Sequence, residues 1–89
     1  MEAREIWISG VVQGVFFRKS TQEKAQSLDL KGWVKNLDDG RVQAWAEGES
    51  EKLRQLEKWL HKGPDRAEVD LVKIETREPR DYSDFEIQR

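Results

Sequence analysis

Two spacings of apolar residues alternate along the chain, and this alternation constrains the fold more than any other feature. Residues 5–12 are rich in β-favouring apolar side chains and run up to Gly14, so they predict a strand. Residues at i, i+4, i+8 and i+11 then share one face of a helix. They are Phe17, Thr21, Ala25 and Leu28. The chain therefore opens with a predicted strand, turn and helix.

The rest of the sequence predicts a hairpin, a second helix and two closing strands. A short strand "WVKN" leads into "DDG", which is a hairpin signal, and a strand over residues 41–47 follows. One face of this strand carries Val42, Ala44 and Ala46, and the other carries Gln43 and Trp45.

The second helix begins near Ser50, and one of its faces carries Leu53, Leu56 and Leu60. It is stopped by Gly63-Pro64, because a glycine just past a helix followed by proline is a common end signal. Further strands are predicted over residues 68–76 and 85–87.

This order, β-α-β-β-α-β, is typical of an α+β fold, the ferredoxin-like split βαβ sandwich. We expect an antiparallel sheet with both helices on one face. A chain of 89 residues predicts one domain over residues 1–89. This fold carries many functions, so the function has to be inferred from a site.

Composition excludes some broad classes of function. Sixteen Lys and Arg residues against eighteen Asp and Glu residues are well mixed, and this argues against a polyanion binder driven by bulk charge. There is no cysteine, which fits a reducing compartment. The sequence shows no signal peptide and no apolar run of about 18 residues. We therefore expect a cytoplasmic protein with no membrane partner.

The stretch "GVVQGVFFRKS", residues 10–20, predicts an anion site. Gly14 can adopt the backbone angles of a tight turn, and a turn that enters a helix points free N–H groups into one small concavity. Arg18 lies in the first helical turn, where the helix dipole favours anions rather than cations. A bound anion shared with this guanidinium explains the placement. The alternative is a surface arginine on a tight turn.

Together with "GWVKN" at residues 32–36, this stretch resembles the motifs of the acylphosphatase family. The first motif corresponds to "GVVQGVFFR", residues 10–18, and the second continues from "GWVKN" through Gly40 and Val42 to Gly48. The resemblance extends over nearly the whole chain. It implies hydrolysis of the carboxyl–phosphate bond of acyl phosphates, with a small-molecule acyl phosphate as substrate and inorganic phosphate as product and competitive inhibitor.

The resemblance also implies roles for individual residues. Arg18 corresponds to the catalytic arginine of the family, and Asn36 to the asparagine that positions the attacking water. The phosphate-binding residues implied are Gln13, Gly14, Val15, Phe16, Phe17 and Arg18. The sequence departs from many members at Val11, where they carry Arg, and at Leu37, where they carry Thr. The second departure puts the support of the Asn36 side chain in question.

The residue types present favour water as the nucleophile. A covalent phosphoenzyme needs a Cys, His or Asp nucleophile, but the chain has no Cys and its one His, His61, falls at the end of the second helix. Clustered His and carboxylate ligands for a metal are not evident. A carboxylate is a good leaving group, and phosphoryl transfer relies mainly on positioning and charge stabilisation. We therefore expect neither a metal nor a cofactor.

Two other functions are alternatives to hydrolysis. Ferredoxin-like domains with exposed aromatic residues bind RNA, but "RVQAWAE" lacks the RNA-binding strand signature and the pI is near 5.5. Trp33, Trp45 and Trp59 are accordingly interpreted as packing residues, and no nucleic acid partner is expected. The second alternative is a non-catalytic phosphate- or acyl-phosphate-binding module of the same fold. A free-standing, monomeric enzyme is the preferred interpretation.

Overall fold

The computed structural model describes residues 1–89 and contains five strands and two helices. In chain order they are β1 (Glu2–Val11), α1 (Phe17–Ser27), β2 (Lys31–Asn36), β3 (Val42–Gly48), α2 (Ser50–Leu60), β4 (Glu68–Arg77) and β5 (Phe85–Ile87). Neither helix has the length and apolar character needed to cross a membrane. The predicted β-α-β-β-α-β order is confirmed.

All five strands form one sheet in the order β4-β1-β3-β2-β5. The pairs β4–β1, β1–β3 and β3–β2 are antiparallel, as expected for the predicted fold class. The short β5 differs, because it pairs parallel to β2. The segment between β4 and β5 carries the chain from one edge of the sheet to the other, and the chain then runs in the direction of β2.

One face of the sheet packs against both helices and forms the main core. From α2 this core takes Leu53, Leu56 and Leu60, the face predicted by their spacing. From α1 it takes Phe17 and Ala25. The strands add Ile6, Ile8, Val34, Val42, Ala44 and Ala46, and other buried members are Val12, Leu28, Leu30 and Phe85. The helix-facing and opposite faces of β3 alternate as the sequence predicts.

A second, smaller cluster covers part of the opposite face of the sheet. Trp33 and Trp45 are buried there with Ala3, and Tyr82 packs over them. The indole Nε1 of Trp33 donates a hydrogen bond of 3.1 Å to the Tyr82 hydroxyl. Trp59 contacts the Phe17 ring on the helical side, with ring centroids 6.0 Å apart. The interpretation of these tryptophans as packing residues is confirmed.

Two element ends differ in an instructive way from the prediction. The first strand begins at Glu2 rather than at residue 5, because its backbone pairs with β3 from Glu2 and with β4 from Ala3, whereas the short stretch Glu2–Arg4 has no β-favouring apolar pattern. The second helix ends at Leu60, shortly before the predicted stop. Gly63 lies beyond this end with φ 69°, and its N–H donates to the Trp59 carbonyl at 2.8 Å.

Strand direction brings distant parts of the sequence to one end of the sheet. Both β1 and β2 are antiparallel to β3, which lies between them, so they run in the same direction. The parallel pairing of β5 with β2 gives β5 that direction too. The residues that follow Val11, Asn36 and Ile87 therefore emerge at the same end, where α1 also begins.

Candidate active site

The loop between β1 and α1 turns through two residues with positive φ. Gly14 has φ 74°, and Phe16, the residue before the helix, has φ 62° and ψ 25°. Glycine adopts such angles freely, whereas for a residue with a side chain they cost about 1–2 kcal/mol. The Phe16 side chain is 74% exposed, so core packing of this ring does not offset the strain. Local strain of this kind is concentrated at functional sites in proteins.

Several backbone N–H groups of this loop have no protein acceptor. Those of Gly14, Val15 and Phe16 form no hydrogen bond to backbone or side chain, and the first α-helical bond runs from the Ser20 N–H to the Phe16 carbonyl at 3.0 Å. The N–H groups in the first turn of α1 therefore have no acceptor within the helix. The helix has no side-chain cap and no acidic residue in that turn. This N-terminus is therefore suited to an external anion.

The Arg18 side chain extends from the first turn of α1 into the same region. It is half-buried, and its one hydrogen bond to the protein runs from Nη1 to the Gln88 carbonyl at 3.3 Å. No carboxylate forms a salt bridge with it. A guanidinium carries five N–H donors, so Arg18 can still bind an anion through two of them.

Asn36 is the last residue of β2, and its backbone pairs with Val42 of β3. The side-chain Oδ1 is buried and has no hydrogen-bond partner. Buried polar atoms in native proteins nearly always have a partner, so an unpartnered one is often part of a site. Asn36 and Arg18 line one concavity of about 380 Å³. Its other lining residues are Val12, Gly14, Phe16, Phe17, Lys19, Ile87 and Arg89.

The structure thus brings together most of the side chains that the sequence assigns to the site, but two of them point elsewhere. The side chain of Gln13 donates hydrogen bonds to the turn between β2 and β3, and Val15 packs against the main core. Neither residue lines the concavity. Phe17 is buried in the core and also forms part of the wall, whereas Phe16 forms an exposed rim.

The sequence analysis assigns no site role to four lining residues, of which Val12 belongs to the buried core. Lys19 directly follows Arg18 and lines the concavity, but it lies outside both motifs. Ile87 and Arg89 enter the site only because β5 runs parallel to β2, and no local motif marks them. All charged side chains of this wall, those of Arg18, Lys19 and Arg89, are cationic, so the concavity has an electrostatic preference for anions.

Groups that could support other phosphatase chemistries lie outside the concavity. His61 is exposed beyond α2, with its Nδ1 2.8 Å from the Glu57 carbonyl oxygen. No group of three or more His, Cys, Asp or Glu side chains is placed to hold a metal ion. In the turn after Asn36, the N–H of Arg41 donates to Asp39 and lowers the pKa of that carboxyl.

The fold and this concavity define a ferredoxin-like α+β protein with a candidate anion site at the start of its first helix. The chain matches the model of the acylphosphatase family over residues 4–87. It is 46% identical to an acylphosphatase of Pseudomonas aeruginosa over 83 residues, which cover 93% of this chain and 91% of the relative. The chain therefore belongs to the acylphosphatase family.

Solved structures of the family have the same architecture. An acylphosphatase from Coxiella burnetii matches with a TM-score of 0.95 and 45% identity, covering 98% of this chain and 92% of that one. An acylphosphatase from Bacillus subtilis matches over the full length of both chains, with a TM-score of 0.97 and 34% identity. The resemblance inferred from the two motifs is confirmed.

Proposed function

We propose that this chain is an acylphosphatase in which a water molecule attacks the phosphorus of an acyl phosphate directly, with Arg18 and Asn36 as the principal catalytic residues. The general activity, hydrolysis of acyl phosphates to a carboxylate and inorganic phosphate, is supported by family membership and by relatives about half identical over most of the chain. The non-catalytic binding module is not favoured by these relatives.

The observation that carries the proposal is the set of unpaired donors around one concavity. The loop N–H groups of Gly14, Val15 and Phe16 and the guanidinium of Arg18 have donors to spare. A phosphoryl group has three equatorial oxygens that need such donors, and its charge spreads over them in the transition state. Backbone donors fixed before the reaction stabilise that charge without reorganisation. We assign phosphate binding to this loop and to Arg18.

Asn36 is suited to orient the attacking water. Its Oδ1 is not committed to any hydrogen bond of the fold, and the residue lies at the wall of the concavity that also contains Arg18. An amide offers both an acceptor and donors, so it can fix a water molecule by hydrogen bonding. Holding the water in line with the scissile bond makes the bimolecular reaction effectively unimolecular, which lowers its entropic barrier.

The bond changes need few protein groups. The water oxygen forms a bond to phosphorus as the bond from phosphorus to the acyl oxygen breaks, and the acyl group leaves as a carboxylate that requires no general acid. We assign the water proton to an oxygen of the phosphoryl group itself, which gives inorganic phosphate. Because the leaving group needs neither protonation nor a Lewis acid, we propose metal-independent hydrolysis without a cofactor.

Other properties belong to the same proposal. Inorganic phosphate has the oxygens that the loop would bind, so it should act as a competitive inhibitor. We propose a monomeric, cytoplasmic protein whose residues 1–89 act as a single domain. We propose no nucleic acid partner, because Trp33 and Trp45, on the sheet face that RNA-binding domains use, are buried under Tyr82.

Hydrolysis of benzoyl phosphate by the purified chain, with and without EDTA, tests the proposal. We expect turnover that EDTA leaves unchanged and that inorganic phosphate inhibits competitively. Phosphate binding without turnover would instead identify the chain as a binding module. Activity that EDTA abolishes and that Mg²⁺ or Zn²⁺ restores would show that a metal site contributes.

A further inference from the structure

One side chain joins the two halves of the candidate active site. We infer that Gln13 is a positioning residue that holds the turn after Asn36 in place and thereby fixes the water-orienting amide relative to the phosphate-binding loop. This inference rests on the proposed role of Asn36. It differs from the role that the sequence assigns to Gln13, which is direct contact with phosphate.

The Gln13 amide donates to two main-chain carbonyls of the turn between β2 and β3. Its Nε2 lies 2.8 Å from the Leu37 carbonyl oxygen and 3.0 Å from that of Arg41. The same carbonyls also accept the hydrogen bonds that close the turn. The Leu37 N–H donates to the Arg41 carbonyl at 2.8 Å, and the Gly40 N–H donates to the Leu37 carbonyl at 3.2 Å. One half-buried amide thus connects both carbonyls that define the turn.

This connection bears directly on Asn36, which precedes Leu37 in the chain. The buried Oδ1 of Asn36 has no hydrogen-bond partner, so that oxygen does not anchor the side chain to the fold. The position of the amide then depends on the backbone at residues 36 and 37. At Leu37 the side chain offers no hydroxyl that could add support. The Gln13 hydrogen bonds supply a link between the turn and the loop that binds phosphate.

The same geometry argues against direct phosphate contact by the Gln13 side chain. Both amide hydrogens are directed to carbonyls, which leaves Oε1 as the remaining polar atom. An amide oxygen is an acceptor only and cannot donate to a phosphoryl oxygen. Gln13 also does not line the concavity. Its effect on catalysis must therefore pass through the groups that it holds.

Replacement of Gln13 by methionine separates positioning from binding. Gln13→Met keeps the length of the side chain but removes both donors. We expect kcat for benzoyl phosphate to fall about tenfold, because small displacements of a positioned group are costly, while the Kd for inorganic phosphate stays within about twofold. A parallel loss of phosphate binding would assign Gln13 to the anion site, and an unchanged kcat would remove it from the mechanism. Either result overturns the inference.

Gln43→Met is the matched control. Gln43 is also a half-buried glutamine whose Nε2 donates a hydrogen bond, in this case of 2.7 Å to the Glu5 carboxylate. It lies in β3 on the face opposite the helices and does not line the concavity. We expect Gln43→Met to keep kcat within about twofold of the original chain, because it leaves the Asn36 turn intact. A kcat loss equal to that of Gln13→Met would reveal a general effect of glutamine replacement and overturn the inference.

Two further measurements establish whether Gln13 acts through Asn36. In an Asn36→Ala background, Gln13→Met should cause less than a twofold additional loss of kcat, since the positioned group is already gone. A full additional tenfold loss would mean that Gln13 acts on another group. If Gln13→Met does not fold, Gln13→Glu provides the test, because its carboxylate places acceptors against the two carbonyls and should lower kcat at least as far.

Amide hydrogen exchange gives a readout that does not depend on turnover. We expect exchange of the Leu37 and Gly40 N–H groups to accelerate in Gln13→Met and to stay unchanged in Gln43→Met. Unchanged exchange in Gln13→Met would refute the connection itself. If the unsubstituted chain fails to hydrolyse benzoyl phosphate, the proposed function fails, whereas the exchange result still decides whether Gln13 holds the turn.

Discussion

Two loops of this molecule have backbone N–H groups that take part in no helix or strand pairing, and the loops differ in whether the protein supplies an acceptor. On the face opposite the helices, the N–H groups of Arg80 and Tyr82 donate to the carboxylate of Glu47, which also accepts 2.9 Å from the indole Nε1 of Trp45. This carboxylate is only 1% exposed. At the loop before α1, the N–H groups of residues 14–16 have no acceptor from the protein.

The contrast separates a structural carboxylate site from the proposed phosphate site. Glu47 brings its own carboxylate to the donors, and this fastens the segment between β4 and β5 onto the sheet. Arg80 lies over the Trp45 ring, with its guanidinium carbon 4.4 Å from the ring centroid, so its charge is engaged there as well. The loop before α1 has donors of the same kind beside Arg18 and a concavity. Similar donors thus stabilise the fold in one place and are available to a ligand in the other.

The largest expected effect concerns Arg18, the cation on the functional side of the comparison. Arg18→Ala should weaken phosphate binding and lower kcat on the order of 10³, since an arginine on a transferring phosphoryl group contributes that much. Arg18→Lys should recover little, because a point charge cannot replace a planar, bidentate donor. Steady-state kinetics with benzoyl phosphate on variants shown to be folded by circular dichroism will measure this. Near-normal turnover in Arg18→Ala would contradict the assignment.

The next largest effect is expected for Asn36. Asn36→Ala should lower kcat on the order of 10², as other lost transition-state hydrogen bonds do, while inorganic phosphate still binds. Binding by calorimetry and turnover by kinetics together separate the two steps. A thermal melt must accompany them, because Asn36 also ends β2. A folded variant with normal kcat would show that Asn36 does not position the attacking water.

Glu47 should affect stability and leave catalysis unchanged. Glu47→Gln exchanges one acceptor oxygen for an NH₂ group that cannot accept from the surrounding donors. We expect the free energy of unfolding to fall by about 2 kcal/mol, the typical effect of losing a buried hydrogen bond to a charged group. Urea denaturation will measure the change, and kcat should stay within about twofold of the original value. A large loss of kcat in a folded Glu47→Gln chain would erase the distinction between the two places.

The smallest effect is the stabilisation of the folded chain by phosphate. At ten times its Kd, inorganic phosphate should raise the free energy of unfolding by about 1.4 kcal/mol, because it binds only the folded state. The increase should persist in Glu47→Gln and be much reduced in Arg18→Ala. Thermal unfolding with and without phosphate, with chloride at equal ionic strength as the control, will measure it. An equal shift in all three proteins would indicate a general salt effect.

Local sequence patterns accounted for most of the fold. Helix α1 begins at the predicted Phe17, and the alternation along β3 correctly separates Val42, Ala44 and Ala46 from Trp45. The parallel direction of β5 was not predicted, because it depends on pairing with β2, far away in the sequence. The start of β1 was missed for a related reason, since pairing with neighbouring strands extends it to residues without a local β-favouring pattern.

The candidate site shows the same division between local and long-range information. The positions of Gly14, Arg18 and Asn36 at one concavity were predicted, because the two motifs and the strand order indicate them. The place of Arg89 in the wall and the buried carboxylate of Glu47 were not predicted, since both depend on the course of the chain after β4. The contact between Gln13 and the hairpin needs coordinates, because a motif identifies a residue without stating where its amide points.

Titration of the ¹⁵N-labelled chain with inorganic phosphate, followed by amide NMR, tests the central claim most directly. The claim is that the N–H groups before α1 bind the phosphoryl group and those at Glu47 do not. We predict saturable shifts for the amides of residues 14–19, with the Arg80 and Tyr82 amides unchanged. Shifts at Arg80 and Tyr82, or no shifts at residues 14–19 at phosphate concentrations that inhibit hydrolysis, would contradict it.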